Sequence, residues 1–319
     1  MKHFIITIDT EYDNGWEWHC GKPITTENAS FIPRFQELCE EFGYKPTYLA
    51  TYEMLRDSRF SEYAKVKQKT GLCEVGIHPH AESTPPHYQL IPRTDTNEGH
   101  EFLKEYPSEI IYEKLKSIRD LYIHTFDREP TSHRAAKWGM DDVYFEQLEK
   151  NGIKFDCSVT PGRNWCDAKG FTEGSCGPDY SKSPRKPYMV SNTNILEIPL
   201  STCKDHRYTF NYHKRIKKNV RNMYRAIKGM GLYWLRPNGK NLDEMLYVVD
   251  SISKSDIDYL MFMMHSSEMM PGGSPTFDTE EKIEKAYSDI EIVFSKVSEK
   301  YEGITLSDYG ESYLLKHRK

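Results

Sequence analysis

Two histidines, His78 and His80 in the stretch EVGIHPHAES, lie two residues apart at the end of an apolar run. In an extended chain residues i and i+2 project to the same side, so both imidazoles can converge on one metal ion. Pro79 between them removes a backbone donor and stiffens the segment. The opening stretch FIITIDTEYD repeats the relation with acids, placing Asp9 and Glu11 two apart after Phe4-Ile5-Ile6-Thr7-Ile8. If the two strands are parallel, these ends meet. One carboxylate can then join the pair of histidines in a three-ligand set with an open position, the donor set of a catalytic zinc site. The other can act as a base toward water.

Three further apolar runs end in ionisable groups. SHRAAKWG offers Arg134, whose guanidinium can orient a carboxylate by a bidentate pair. GIKFDCSVTP places Asp156 after an apolar run, as Asp9 is placed. YLMFMMHSSEMMPGG ends a nearly all-apolar strand in His265, a candidate general acid whose pKa a nearby Asp can adjust. Each group alone has an ordinary structural reading. Five strand ends that each carry one form a set.

The elements that must position this set alternate along the chain. Strands are expected at Phe4–Ile8, Thr47–Ala50, Cys73–His78, Thr131–His133, Lys154–Cys157, Ile195–Ile198, Tyr259–Met264 and Gly303–Leu306. Helical periods fall between them in FIPRFQELCEEFG, SEIIYEKLKSIRDLYIHTF, DDVYFEQLEKNG, LDEMLYVVDSIS and TEEKIEKAYSDIEIVFSKVSEK. Gly43, Gly71 and Gly152 follow helical runs, where left-handed C-caps would need them. This alternation implies parallel strands with helices outside, and the number of units favours an α/β (β/α) barrel over an open sheet. Residues 1–319 read as one domain with long loop insertions at about 79–107 and 158–193, rich in Pro, Gly and Ser. Both follow expected strands, on the side where barrel enzymes build their sites. The run HKRIKKNVRNMYRAIKG at 213–229 reads as a basic amphipathic helix with a solvated face.

A net charge of −5 gives no reason to expect nucleic-acid binding. No window approaches the roughly 18 apolar residues of a membrane helix, and MKHFIITIDT does not read as a secretory signal. Seven scattered cysteines without a CxxC pair suggest free thiols and a cytoplasmic location.

The ordered set TIDTE, EVGIHPH, SHRAA, KFDCSV and MFMMHSSEMMPGG, closed by GITLSDYGE, resembles the polysaccharide deacetylase superfamily (carbohydrate esterase family 4, the NodB-homology group) over residues 3–310. The HSSEMMPGGSP and WLRPNG segments are similar to a branch associated with bacterial surface-polysaccharide clusters. The resemblance implies a distorted (β/α)7 barrel, one zinc or other divalent ion, and hydrolysis of an N-acetyl group on a sugar. By position it implies Asp9 as base, Glu11 and His78 as metal ligands, Arg134 as the holder of the base, Asp156 as the acid tuning the catalytic histidine, and His265 as that histidine.

The chain departs from the family pattern at several points. One residue separates the two acids, and the second is Glu, so Asp13 stays open as the alternative ligand. Glu82 stands where the family's second histidine normally lies, which leaves His80, with His87 behind it, for that ligand. The arginine motif continues through Ala135-Ala136-Lys137-Trp138 and leaves room for Lys137 as a substrate contact. Trp16, Trp18 and Trp165 are candidates to stack on sugar rings. The expected substrate is a small saccharide or polysaccharide precursor, and the oligomeric state is left open. Three rival readings remain: hydrolysis of another C–N bond, such as a cyclic amide; a non-catalytic saccharide-binding module; and a metal-free structural scaffold.

Overall fold

The computed structural model describes residues 2–16, 23–92, 101–204 and 231–317. The basic helix expected at 213–229 lies outside the described residues.

The first strand, β1 (Lys2–Thr10), is buried from Phe4 to Thr10. A continuous apolar run suits a strand with neighbours on both edges and layers on both faces. Its followers in chain order are β2 (Thr47–Ala50), β3 (Glu74–Ile77), β4 (Ser132–His133), β5 (Phe155–Asp156), β6 (Tyr188–Met189), β7 (Leu196–Glu197), β8 (Thr202–Lys204), β9 (Leu232–Trp234), β10 (Tyr259–His265) and β11 (Tyr301–Gly303). β1 and six of these form a parallel path in the order β10–β1–β2–β3–β4–β5–β7; β6 adds antiparallel to β7, and β11 adds parallel to the start of β1.

The helices are α1 (Ile32–Glu41), α2 (Tyr52–Arg56), α3 (Ser58–Lys69), α4 (Ser108–Phe126), α5 (Asp142–Lys150), α6 (Leu242–Ser253), α7 (Glu280–Ser298) and α8 (Leu306–His317). The helical periods read from the sequence coincide with α1, α4, α5, α6 and α7. Their apolar stripes pack on the sheet: Phe35 of α1 stacks on Phe262 and meets Phe294 of α7 edge-on. Gly43, Gly71 and Gly152 take the positive φ expected of C-caps.

The fold is a distorted (β/α)7 barrel, and the distortion has a visible cause. Among the described residues no ladder joins β7 to β10 to close the ring. Tyr259 donates its hydroxyl to the Pro199 carbonyl, the Met261 amide donates to Ser201 Oγ, and Leu235, just past β9, bridges Phe262. Side chains and a single bridge thus span the seam. The two-residue β6 and the three-residue strands β8 and β9 lie outside the strands expected from the sequence, because none of them sits in an apolar run that marks it. The strand expected at Gly303–Leu306 is corrected: β11 ends at Gly303 and Leu306 begins α8. Tyr44 backbone atoms crowd Gly303, and the Leu306 amide donates to Thr47 Oγ1, which turns the chain there.

The two long insertions are tied together. Glu105 accepts from the amides of Phe102, Phe171 and Thr172 and from the Thr172 hydroxyl. Among the described residues no helix is long and apolar enough to cross a membrane.

Candidate metal centre and active site

Register sets the site. Across the β1–β10 ladder Asp9 stands opposite His265, and across β3–β4 Ile77 stands opposite His133, so His78 and Arg134 leave their strands side by side. All of these lie at the C-terminal ends of parallel strands, where the loops leave room for a ligand.

Glu11, His78 and His80 are brought together, with one donor atom of each within 4.8 Å of the others. Glu11 Oε2 lies 3.1 Å from His80 Nε2 and 3.7 Å from His78 Nε2. A tetrahedral ion with bonds of about 2.0–2.1 Å holds its ligand atoms about 3.3 Å apart, which these separations bracket. The opposite ring nitrogens are occupied. His78 Nδ1 lies 2.8 Å from the Arg134 carbonyl, which can only accept, so its proton sits there and Nε2 keeps a free lone pair. His80 Nδ1 lies 3.2 Å from Glu82 Oε1 and 3.1 Å from the Tyr12 hydroxyl, so a proton on Nδ1 has an acceptor there and Nε2 is the nitrogen that can turn to an ion once its own proton has left. The residues present therefore fit a divalent ion of the zinc type.

Glu82, at the position where a second histidine was expected, thus backs His80; it also accepts from Tyr12 at 2.9 Å. Asp13 stands outside the group: it accepts from the Thr25 hydroxyl and the Asn28 amide and orders its loop. His87 is exposed and outside it too. Asn28 holds Glu11 in place by donating to the Glu11 carbonyl at 2.8 Å and to Ser266 Oγ, which in turn accepts from the Glu11 amide.

Beside this set, the fully buried Arg134 donates to Asp9 Oδ1 at 2.6 Å, to Thr7 Oγ1 and to the Cys157 carbonyl. Asp9 Oδ2 is left facing His265 Nε2 at 3.7 Å. Burial opposes the Asp9 charge, but Arg134, His78 and His265 outweigh it and hold its pKa below the ordinary value. Burial likewise opposes ionisation of Glu11, yet His265, His78 and His80 keep its carboxyl well below the usual range. Burial would lower His80; Glu82 and Glu11 overcome it and push His80 up to about 10.

His265 lies with Nε2 3.8 Å from Glu11 Oε1, on the face of the site toward Asp9. Its Nδ1 is 2.8 Å from Arg236 Nη2 and 3.3 Å from Glu268 Oε2. Burial and Arg236 pull its pKa down, while Glu11 and Glu268 pull harder, and the net shift is upward. Glu268, held at about 2 by Arg236 and His265 against burial, accepts from Arg236 at 2.9 Å and from the His265 amide.

This corrects the expected role of Asp156. Its Oδ1 is 2.6 Å from His133 Nδ1 and 2.8 Å from the Ser158 hydroxyl, inside the barrel and not on His265. The reason is topological: β5 follows β4, and its end faces His133, whereas a 3-10 turn after β10 folds Glu268 back under His265. Glu268 therefore holds the place that the resemblance gives to Asp156. HSSE, with an acid three residues after the histidine, carried that signal, and Arg236 lies in WLRPNG.

The remaining candidates divide. Trp16 meets His265 edge-on at 5.4 Å and donates to Ser267 Oγ. Trp18 lies outside the described residues. Lys137 Nζ is 3.8 Å from Glu82 and donates to the Glu101 carbonyl. Lys137 and Trp138 both have positive φ, 55° and 62°, a local strain of about 1–3 kcal/mol each. That turn lays Trp138 against Arg134, 5.3 Å from ring centroid to guanidinium carbon, and stacks it on Trp165 at 6.2 Å. Trp234, the first residue of WLRPNG but not among the residues expected to stack on sugars, completes the cluster at 6.0 Å from Trp138 and 6.4 Å from Trp165.

No protein-family model and no curated protein matches the sequence. Solved structures do match in fold. A candidate polysaccharide deacetylase from Mycobacterium smegmatis superposes with a TM-score of 0.56 at 12% identity, over 100% of this chain and 92% of that one. A GH57 branching enzyme from Thermococcus kodakaraensis, crystallised with glucose, gives 0.56 at 11% identity over 98% and 71%. A GH57-type branching enzyme from Pyrococcus horikoshii gives 0.54 at 14% over 98% and 70%. The likeness to the polysaccharide deacetylase superfamily read from the motifs is thus matched at the level of the fold, a (β/α)7 barrel that this chain shares with both kinds of protein.

Proposed function

We propose that the chain is a metal-dependent hydrolase that removes an N-acetyl group from a sugar of a bacterial surface polysaccharide or its precursor. The observation that carries this reading is the Glu11–His78–His80 set with an Arg134-held Asp9 and His265 beside it. The fold alone is compatible with glucan transfer as well as with amide hydrolysis. The donor set favours hydrolysis.

Glu11, His78 Nε2 and His80 Nε2 would hold a divalent ion, which supplies Lewis acidity toward a carbonyl oxygen and lowers the pKa of water. Asp9 stays ionised because Arg134 occupies Oδ1, and its free Oδ2 takes the proton of the water that attacks the acetamide carbon. His265 carries a proton on Nε2 toward the site: in the charged form Nδ1–H donates to Glu268, and in the neutral form Arg236 donates to Nδ1. The charged form gives its Nε2 proton to the departing nitrogen as the C–N bond breaks, releasing acetate and a free amine. Trp16 walls the His265 side, and Lys137 contacts the substrate from the Glu82 side.

Zinc content and acetate release from N-acetylglucosamine oligomers test the reading together. One zinc per chain with acetate release is expected, and Glu11→Ala or His78→Ala should lose both. Bound zinc without turnover on any N-acetyl sugar would point to a binding module instead.

A further inference from the structure

Arg163 lies beyond β5, and the mechanism does not use it. Its guanidinium carbon sits 4.7 Å from the Trp234 ring centroid and 5.8 Å from that of Trp165. Its Nε is buried with no hydrogen-bond partner, and among the described residues no carboxylate pairs with it. Arg163 as a whole is only partly buried, but a buried N–H normally has an acceptor, because taking a donor out of water without one is costly. Here the nearest charge is of the same sign: burial and Arg236 both push the Arg163 pKa down. Arg236 lies 5.5 Å from the same Trp234 ring, and its one partner acid, Glu268, is already shared with His265. This corner of the site therefore carries an excess positive charge, held on aromatic faces, next to the proposed general acid. Elsewhere at the site each arginine has its acid: Arg134 has Asp9, and Arg236 has Glu268.

Stacking on indole fixes the plane of the guanidinium and leaves its in-plane N–H fork for a ligand. The chemistry that completes it is a planar or tetrahedral oxyanion accepting two of those bonds. We propose that Arg163, laid on Trp165 and Trp234, binds an anionic group on the saccharide substrate, a sugar carboxylate or a phosphate, beside the reacting centre. The assignment rests on the saccharide reading above and narrows it to acidic or phosphorylated sugars. Trp138, stacked on Trp165 and tilted against Trp234, extends the aromatic surface from this corner to Arg134.

The test is binding to the full, zinc-loaded chain, followed by tryptophan fluorescence and isothermal titration, with glucose, glucuronate and glucose 1-phosphate as probes. At least one anionic sugar is expected to bind roughly tenfold to a hundredfold more tightly than glucose, with the advantage shrinking as salt is raised. The probe that gains identifies carboxylate or phosphate as the source. Arg163→Gln should abolish the advantage, and Arg163→Lys, which keeps the charge but not the fork, should retain part of it. Because the metal ligands are untouched, loss in Arg163→Gln reads the arginine and not the ion; thermal melts of both variants check that they fold. Equal affinity for the three sugars, or an advantage that survives in folded Arg163→Gln, would overturn the assignment. Acetate release separates the two readings. Arg163-dependent anion preference without deacetylation leaves the anion site and removes the deacetylase; deacetylation of neutral N-acetylglucosamine oligomers without anion preference does the reverse.

Discussion

Glu74 and Asp9 are both buried carboxylates on neighbouring parts of one barrel, at opposite ends of its strands. Glu74 opens β3 at the N-terminal end and accepts from four neutral donors: the hydroxyls of Thr47, Ser132 and Ser307 and the Ser307 amide. Those donors come from β2, β4 and α8, so the carboxylate pins three elements together, and both its oxygens are used. Asp9, at the C-terminal end of β1, has a charged partner on one oxygen and leaves the other toward His265. Around it stand Glu11, Glu82 and Glu268, and Glu82 Oε2 is buried without a partner. A satisfied acid among neutral donors is structural, whereas acids crowded together among arginines and histidines retain bonding capacity for something else.

The largest expected break in this contrast is at Asp9. Asp9→Asn should lower turnover by about 10²–10⁴-fold, the range of a lost general base, measured as acetate release per zinc-loaded chain. A variant that retains more than a tenth of wild-type turnover would end its role as base. At the other end of the barrel, Glu74→Leu strands the Ser307 amide and should cost about 1–3 kcal/mol of unfolding free energy by urea titration. Its turnover per folded molecule should match wild type; a catalytic loss would mean that the two ends are not separate in function.

The next effect concerns the metal. With His80 up at about 10 when no ion is bound, its proton must leave before Nε2 can become a ligand. Zinc affinity should therefore climb up to tenfold per pH unit toward pH 10, with about one proton released per ion at pH 7. Titrations in buffers of different ionisation enthalpy measure that proton, and an absence of release would place the metal elsewhere. The same raised pKa stabilises the metal-free fold fully below about pH 6.5, a contribution lost as pH rises through about 10. The smallest effect is at Glu268. His265 is raised, so a general acid there works below its pKa and fails as pH rises through it. Glu268→Gln removes one of the acids that raise it, and the alkaline limb of kcat/KM should move to lower pH by about one unit or less. An unmoved limb would sever Glu268 from His265.

Much of the barrel and the strand ends was legible because apolar runs, helical periods and i, i+2 pairs are local patterns. Glu11, His78 and His80 meet because of two such pairs, although nothing local decided between Glu11 and Asp13 or between His80 and His87. That choice is made by Asn28 and Thr25, which claim Asp13, and by Glu82 and Tyr12, which turn His80. The partner of His265 was misplaced for the same reason in reverse. Asp156 follows a strand as a tuning acid should, but only the strand order shows that it faces His133. The tryptophan cluster was half visible: Trp165 stood out in its loop as a sugar contact, whereas Trp234 was noticed only as part of WLRPNG, because the three-residue strand that carries it has no period to show which way its ring faces.

The seven-residue ladder between β1 and β10 also sets a timetable. Asp9 faces His265, and the Glu11 amide bonds a serine 255 positions later. A ribosome adding about 5–20 residues per second needs tens of seconds to deliver that second half. Through that interval the edge of FIITI has no partner, and a bare apolar strand edge invites pairing with other chains. The stretch that carries the proposed base is thus also the one that most needs shielding during synthesis. Chains truncated before Tyr259 are expected to sediment or to be retained by a holdase chaperone, whereas the full chain should be released; truncated chains that stay monomeric and unbound would show that β1 is protected some other way.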